Sequence, residues 1–301
     1  MSDNATPDGN SEPSGTQRRQ QMAGFTALPV GTRLDHFVID TVIGAGGFGI
    51  TYLAQHDTLK KPYALKEYFP REFACREGLA VRSTLTASKT FAWGLARFLD
   101  EARALAKFKH PAIVDVAHVF EANGTAYMAL TYEQGRTFGT WLRELGRPPT
   151  QAELDQLAGP LLDALEVMHA AAMLHRDIAP DNIMVRDNGT PVLLDFGAAR
   201  SDLQERAGPV TAIVKTGYSP QEQYKSDGER QGPWSDIYAF AATMYQAVSG
   251  RPPMDALERV TAAKGMQTAA SARGSYRPGF TEAIDWGMRL EPKDRPQSIA
   301  Q

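Results

Sequence analysis

The stretch from His175 to Gly197 constrains this chain more than any other. It opens with His175-Arg176-Asp177-Ile178-Ala179-Pro180-Asp181-Asn182, which places an aspartate and an asparagine five positions apart in what reads as a short loop. A strand, an Asn188-Gly189 turn and a second strand over Val192-Leu193-Leu194 then return another aspartate, Asp195, just before Phe196-Gly197. A loop carboxylate, a loop amide and a second carboxylate brought back by a hairpin form an oxygen-rich set. Phosphoryl transfer needs such a set: one group to orient a hydroxyl, two to hold magnesium.

Composition excludes several other classes. A chain of 301 residues can form one large domain or two modest ones around an ample core. The net charge of −3 gives no global attraction to nucleic acid or to an anionic membrane. A single cysteine, Cys75, rules out an internal disulfide and fits a reducing compartment. The richest apolar run, Ile237 to Val248, is too short to span a bilayer and reads as a buried helix, so no membrane segment is expected. The N-terminus lacks a secretory h-region, so a cytoplasmic location is expected.

Residues 1–28 are rich in Ser, Gly, Pro, Asn, Gln and charge, and are expected to form a disordered tail. From Leu34 the pattern changes to short β-branched and aromatic segments: Phe37-Val38-Ile39, Ile50-Thr51-Tyr52-Leu53 and Tyr63-Ala64-Leu65. Phe91, Leu95, Phe98, Ala102 and Leu105 recur at helical spacing, which predicts a helix from about Thr90 to Lys107. Strands are expected around Ile113 to Phe120 and Tyr127 to Thr131, joined by an Asn123-Gly124 turn. Beyond Gly135 the chain turns helical, over Glu153 to Ala171, Ser235 to Val248 and Phe280 to Leu290. The expected organisation is α+β: a small β-rich lobe with one main helix over residues 29–133, then a larger, mostly helical lobe over 134–301.

Two further constellations carry chemistry. Gly44-Ala45-Gly46-Gly47-Phe48-Gly49 lies between two strands, where glycines let the backbone close over phosphates and donate N–H groups. A Gly-rich turn with a purely structural role is the plain alternative. Lys66 ends the third strand, and in isolation it is a lysine snorkelling from a strand end. Glu101, however, shares the apolar face of the long helix with Phe98 and Leu105, whereas Asp100 is rotated about 100° away. A carboxylate on a buried face needs a cation, and Lys66 is the expected partner.

With these motifs in this order, the chain resembles the protein-kinase family, in particular its bacterial, eukaryotic-like (Hanks-type) Ser/Thr members. The resemblance covers residues 34–296 and implies a two-lobed kinase fold with a small antiparallel sheet, ATP and Mg²⁺ as cofactors, and protein substrates. It gives Asp177 the role of catalytic base and makes Asn182 and Asp195 the metal ligands. Lys66, paired with Glu101, would hold the α/β-phosphates beneath the loop of Gly44, Ala45, Gly46, Gly47, Phe48 and Gly49. Thr51, Ala64 and Met184 match positions that sandwich adenine, Leu130 guards the pocket's rear, and the backbone of Thr131, Tyr132 and Glu133 forms the hinge. His175 would join a buried column with Leu105, Val116 and Phe196, anchored by Asp236. Gly217-Tyr218-Ser219-Pro220-Gln221-Glu222-Gln223 resembles the end of the activation segment, with Glu222 paired to Arg295.

The sequence departs from this pattern at Ala179, where a lysine normally meets the γ-phosphate. Tyrosine kinases also lack that lysine, so dual specificity stays open. Alignment on Tyr218 and Glu222 puts Lys215 where a threonine is usual, which suggests that the cation has moved to the activation segment. Arg176 is positioned to clamp a phosphate on Ser201, Thr211 or Thr216, unless Asp202 or Glu205 satisfies it. The resemblance also allows autophosphorylation in trans. A pseudokinase scaffold and a small-molecule phosphotransferase are the rival readings; Lys66, Asp177, Asn182 and Asp195 argue against the first, Glu222 and Asp236 against the second. The segment from Glu67 to Lys89 is long for this family and reads as a surface insertion or a regulatory contact. The sequence stops just past Arg295-Pro296, where the family usually adds a helix, so a longer protein is expected.

Overall fold

Alternating apolar residues build the first strands, and they do so as a computed structural model describing residues 26–84, 86–196, 214–224, 231–261, 267–271 and 276–301. The architecture is the expected α+β kinase-like one, with two compact units: Met1–Ser88 with Phe120–Ala129, and Lys89–Val119 with Leu130–Gln301.

In the first unit, β1 (Arg33–Leu34), β2 (Phe37–Ala45), β3 (Gly49–His56) and β4 (Pro62–Tyr68) run as consecutive antiparallel neighbours. Strands β7 (Val116–Ala122) and β8 (Thr125–Thr131) complete a six-stranded sheet in the order β1-β2-β3-β4-β8-β7. Ile50, Tyr52, Ala54 and Leu65 are fully buried on one face. Between β4 and the long helix the chain forms a hairpin, β5 (Ala74–Glu77) and β6 (Ala80–Ser83), closed at Gly78, whose φ is +61°. The hairpin is no loose excursion: Val81 donates its backbone N–H to Asn123. The tail expected over residues 1–28 lies outside the described residues as far as residue 25. Leu28, at its end, is part of the core with 3% exposure.

The second unit carries α1 (Ser88–Leu105), which buries Phe91, Phe98, Glu101, Ala102 and Leu105 as the helical spacing predicts. Thr137 and Gly146 cap α2 (Phe138–Leu145), and a Thr150–Glu153 capping box starts α3 (Gln151–Ala170). The remaining helices are α4 (Pro233–Ser249), α5 (Ala256–Thr261) and α6 (Pro278–Gly287). Helix α4 is apolar on nearly every side and correspondingly buried. Gly287 of α6 lets that helix close on it, since a Cβ there would lie 2.8 Å from that of Ala241. A small sheet has the order β11 (Pro191–Leu193), β10 (Ile183–Arg186) and β9 (Gly135–Thr137); β10 follows the loop that ends at Asn182, and β11 leads on to Asp195.

The strand expected from Ile113 begins three residues later. Its first residues bond elsewhere: Val114 donates to Leu193 O, and Leu193 donates back to Ala112 O. This exchange ties the start of that segment to the hairpin leading to Asp195.

Candidate active site

The loop from His175 to Asn182 is built on one buried carboxylate. Asp236, in the first turn of α4, accepts the backbone N–H groups of His175 and Arg176, both at 2.8 Å. A negative group there is also favoured by the helix dipole. His169 Nε2 lies 2.9 Å from the same carboxylate. Arg176 takes a left-handed φ of 63°, and its carbonyl is held by Gln223 Nε2 at 3.1 Å.

His175 is a packing residue. Its ring is fully buried and lies 4.5 Å from the Phe196 ring between centroids. Nε2 faces Leu194 O at 3.0 Å, and Nδ1 faces the N–H of Asp177 at 3.3 Å. Those partners require a neutral ring with its proton on Nε2. Burial pushes its pKa below the ordinary value, against the pull of Asp236. Leu105, Val116 and Phe196 are likewise buried.

Asp177 and Asn182 form one unit. The Asn182 amide donates to the Asp177 carbonyl and to Asp177 Oδ2, both at 2.7 Å. Both bonds commit the Asn182 amide nitrogen to Asp177. A 3-10 turn over Pro180–Asn182 sets this geometry, and Leu194 N–H donates to Asn182 O at 2.8 Å, tying the loop to the residue before Asp195. Asp195 has a φ of 43°, a region non-glycine residues seldom occupy outside functional or tightly constrained sites. Ala179 is buried, with 2% exposure.

Lys215 Nζ lies 3.7 Å from Asp177 Oδ1. Its backbone is fixed by a tight turn: Lys215 N–H donates to Ser219 Oγ at 3.1 Å, and Lys215 O accepts from Tyr218 and Ser219, each at 2.9 Å. Gly217, with φ at 85°, closes that turn against Pro253, whose carbonyl oxygen would be 2.6 Å from a Cβ. Beyond the turn, Arg295 holds Glu222 with bonds of 2.7 and 3.1 Å, and Ser235 Oγ donates to Glu222 at 2.8 Å. The expected Glu222–Arg295 link is therefore present and fully buried.

The first unit carries the glycine-rich turn, where Gly46 N–H donates to Gly49 O at 2.9 Å. The β3–β4 register pairs Thr51 with Lys66 and Leu53 with Ala64, so Thr51, Ala64 and Lys66 share one face. Lys66 is half-buried there; Glu101, in the second unit, is buried, and neither side chain is without a partner. Leu130 is buried, and Thr131 N–H donates to Asp115 O at 2.9 Å. Glu133 is held bidentately by Arg186 at 2.6 and 2.9 Å, which commits its side chain to structure. Met184 lies in β10, paired with Val192.

Gly197, Ser201, Asp202, Glu205 and Thr211 lie outside the described residues, and Thr216 is exposed. Sequence reasoning missed Ser219, Ser235 and Asp255, the last of which accepts from Gly217 N–H at 3.3 Å. Short polar side chains that cap loops carry no periodic signal. No group of three or more His, Cys, Asp or Glu able to hold a metal occurs among the described residues. Magnesium bound with substrate phosphates takes only one or two protein oxygens, so the Asn182 amide and Asp195 carboxylate suit it chemically.

The order of these motifs along an α+β fold is that of the protein-kinase class. The family model for the protein kinase domain matches residues 37–298, and the chain belongs to that family as a eukaryotic-like Ser/Thr kinase catalytic domain. The chain is 27% identical over 282 residues to serine/threonine-protein kinase PknE of Mycobacterium tuberculosis, covering 91% of this chain and 46% of the relative. It is 28% identical over 274 residues to the probable serine/threonine-protein kinase PknB of Bifidobacterium longum, covering 86% and 37%. It thus spans less than half the length of these relatives. The solved structure described as PpkA-294 apo form matches with a TM-score of 0.80 and 36% identity, over 91% of this chain and 97% of that one.

Proposed function

We propose that this domain transfers the γ-phosphate of ATP to Ser or Thr hydroxyls of proteins, itself in trans among them, with its γ-phosphate cation on Lys215. The observation that carries this reading is the Asp177 carboxylate, set between the Asn182 amide at 2.7 Å and the Lys215 ammonium at 3.7 Å, with only an alanine at position 179.

Asp177 orients the incoming hydroxyl and takes its proton. Asn182 prevents that carboxylate from rotating, and Lys215 sets a positive charge beside the charge that develops on the transferred group. Asn182 and Asp195 would hold Mg²⁺, which neutralises phosphate charge. Lys66, in the first unit, would hold the α/β-phosphates; Glu101, in the second, matches the family's buried helix glutamate. The turn from Gly44 to Gly49 offers backbone N–H groups to the phosphates, and Gly46 has open space where a Cβ would stand. Thr51 and Ala64 of the first unit, and Leu130, Met184 and the backbone of Thr131, Tyr132 and Glu133 of the second, match the family's adenine-binding positions. No helix among the described residues is long and apolar enough to cross a membrane. A cytoplasmic setting, rich in ATP and reducing toward Cys75, suits this chemistry.

The test is turnover of ATP with a generic protein substrate. Asp177→Asn keeps the Asn182 contact geometry and is expected to lower kcat by about 10²–10⁴-fold with an unchanged melting curve. Undiminished phosphate transfer by that variant would remove the proposal.

A further inference from the structure

Next to Lys66 in sequence, and on the opposite face of β4, lies a second acidic residue whose side chain no solvent reaches. Glu67 is 0% exposed. Its Oε1 accepts the Tyr127 hydroxyl at 2.7 Å and its Oε2 accepts the Tyr52 hydroxyl at 2.8 Å. Arg76, from β5 of the inserted hairpin, donates to the same Oε2 through Nη2. Burial and the neighbouring Glu67 push both phenols above their ordinary pKa, so each stays a proton donor to the Glu67 carboxylate.

Each nitrogen of Arg76 is engaged. Nε reaches Thr26 O, Nη1 reaches Leu79 O at 3.0 Å, and the guanidinium lies 5.0 Å from the Phe69 ring centroid. Leu28 N–H in turn donates to Tyr52 Oη at 3.1 Å. Residues 26 and 28 are thereby fastened to two of the three groups that fasten Glu67. The start of the insertion also grips the glycine-rich turn: Phe69 N–H donates to Phe48 O at 3.0 Å and Arg71 N–H to Gly47 O at 2.9 Å. Gly49 is so close to β4 that a Cβ would meet Glu67 O at 2.5 Å.

We propose that Glu67 and Arg76 are positioning residues for nucleotide. The buried pair fixes β4 from behind, and β4 carries Lys66 on its other face; the residues leading into the hairpin hold the phosphate turn in a formed state. The insertion then preorganises the nucleotide site instead of decorating the surface, and the docked Thr26–Leu28 segment belongs to the same device. Preorganisation lowers the ordering cost of binding, so loosening it weakens ATP binding more than the chemical step. The inference rests on Lys66 being the nucleotide lysine.

Kinetics of Tyr127→Phe, Arg76→Ala and Arg76→Lys, with Lys66→Ala and Arg82→Ala alongside, test it at a temperature where each variant is folded by circular dichroism. Arg82 pairs with Glu77 on the exposed side of the same hairpin and is the control. Arg76→Ala is expected to raise KM for ATP about 10-fold and Tyr127→Phe about 3-fold, with kcat within about 2-fold. Arg76→Lys is expected to recover part of the loss, and Arg82→Ala to change nothing. Amide exchange at Gly46–Gly49 should quicken in the nucleotide-free Tyr127→Phe protein. If Arg76→Ala does not fold, Tyr127→Phe alone decides. Folded Tyr127→Phe with unaltered KM for ATP and unaltered exchange overturns the inference. An unaltered KM for ATP in Lys66→Ala instead overturns the assignment of Lys66.

Discussion

Among the described residues, each unit contains a buried glutamate–arginine pair, and the two glutamates are supported unequally. In the second unit the arginine is the richer partner: Arg295 bonds Glu222 twice and also donates to Arg289 O and Leu290 O, each at 2.6 Å. In the first unit both partners are well supplied: Glu67 keeps two tyrosine hydroxyls besides Arg76, and Arg76 also donates to Thr26 O and Leu79 O. A buried ion pair is tolerable only when its remaining polar groups are also satisfied. The difference shows where each pair is vulnerable. Removing Arg295 leaves the buried Glu222 carboxylate with one hydroxyl donor, that of Ser235, and strips Arg289 O and Leu290 O of their guanidinium donor. Removing Arg76 leaves Glu67 with two donors still in place.

That contrast orders the expected losses. Arg295→Ala should cost the second unit about 3–5 kcal/mol, seen as a collapse of the cooperative denaturant transition. Arg76→Ala should cost less, about 2 kcal/mol, because the two hydroxyls still solvate the charge. Equal losses would mean that the hydroxyls contribute nothing. Tyr127→Phe, which deletes one hydrogen bond without changing shape, should cost about 1 kcal/mol in the same titration. A pH effect is the smallest. His175 is held neutral below its ordinary value of 6.5, so the folded state refuses a proton that the unfolded chain accepts. Its contribution is complete above that value and declines as pH falls toward the depressed folded value. Stability followed by chemical denaturation from pH 7 to pH 5 should show that decline.

The two pairs also differ in how far they could be read from the sequence. Glu222 and Arg295 stand in motifs whose order is recognisable, and the long-range link between them followed from the family resemblance. The burial of Glu101 followed from helical spacing alone. Glu67 carries comparable information, since strand alternation puts it on the face of Ile50 and Tyr52, where a charge demands a partner. That partner, Arg76, sits in an insertion whose fold depends on contacts with Asn123, Phe73 and Thr26 that no local pattern announces. Leu28 escaped notice for a related reason: one apolar residue at the edge of a polar tail becomes core only because Tyr52 and Arg76 receive its neighbourhood. Lys215 is intermediate. Alignment pointed it toward Asp177, and the 3.7 Å separation fits that placement, while its part in the chemistry stays with the proposal.

Phosphoryl transfer by Lys215→Ala, compared with the exposed Lys107→Ala, tests the relocated cation most directly. A fall in kcat of about 10–100-fold for Lys215→Ala is expected, with KM for ATP and the melting curve held and Lys107→Ala unaffected. Equal and small losses in the two variants would contradict it.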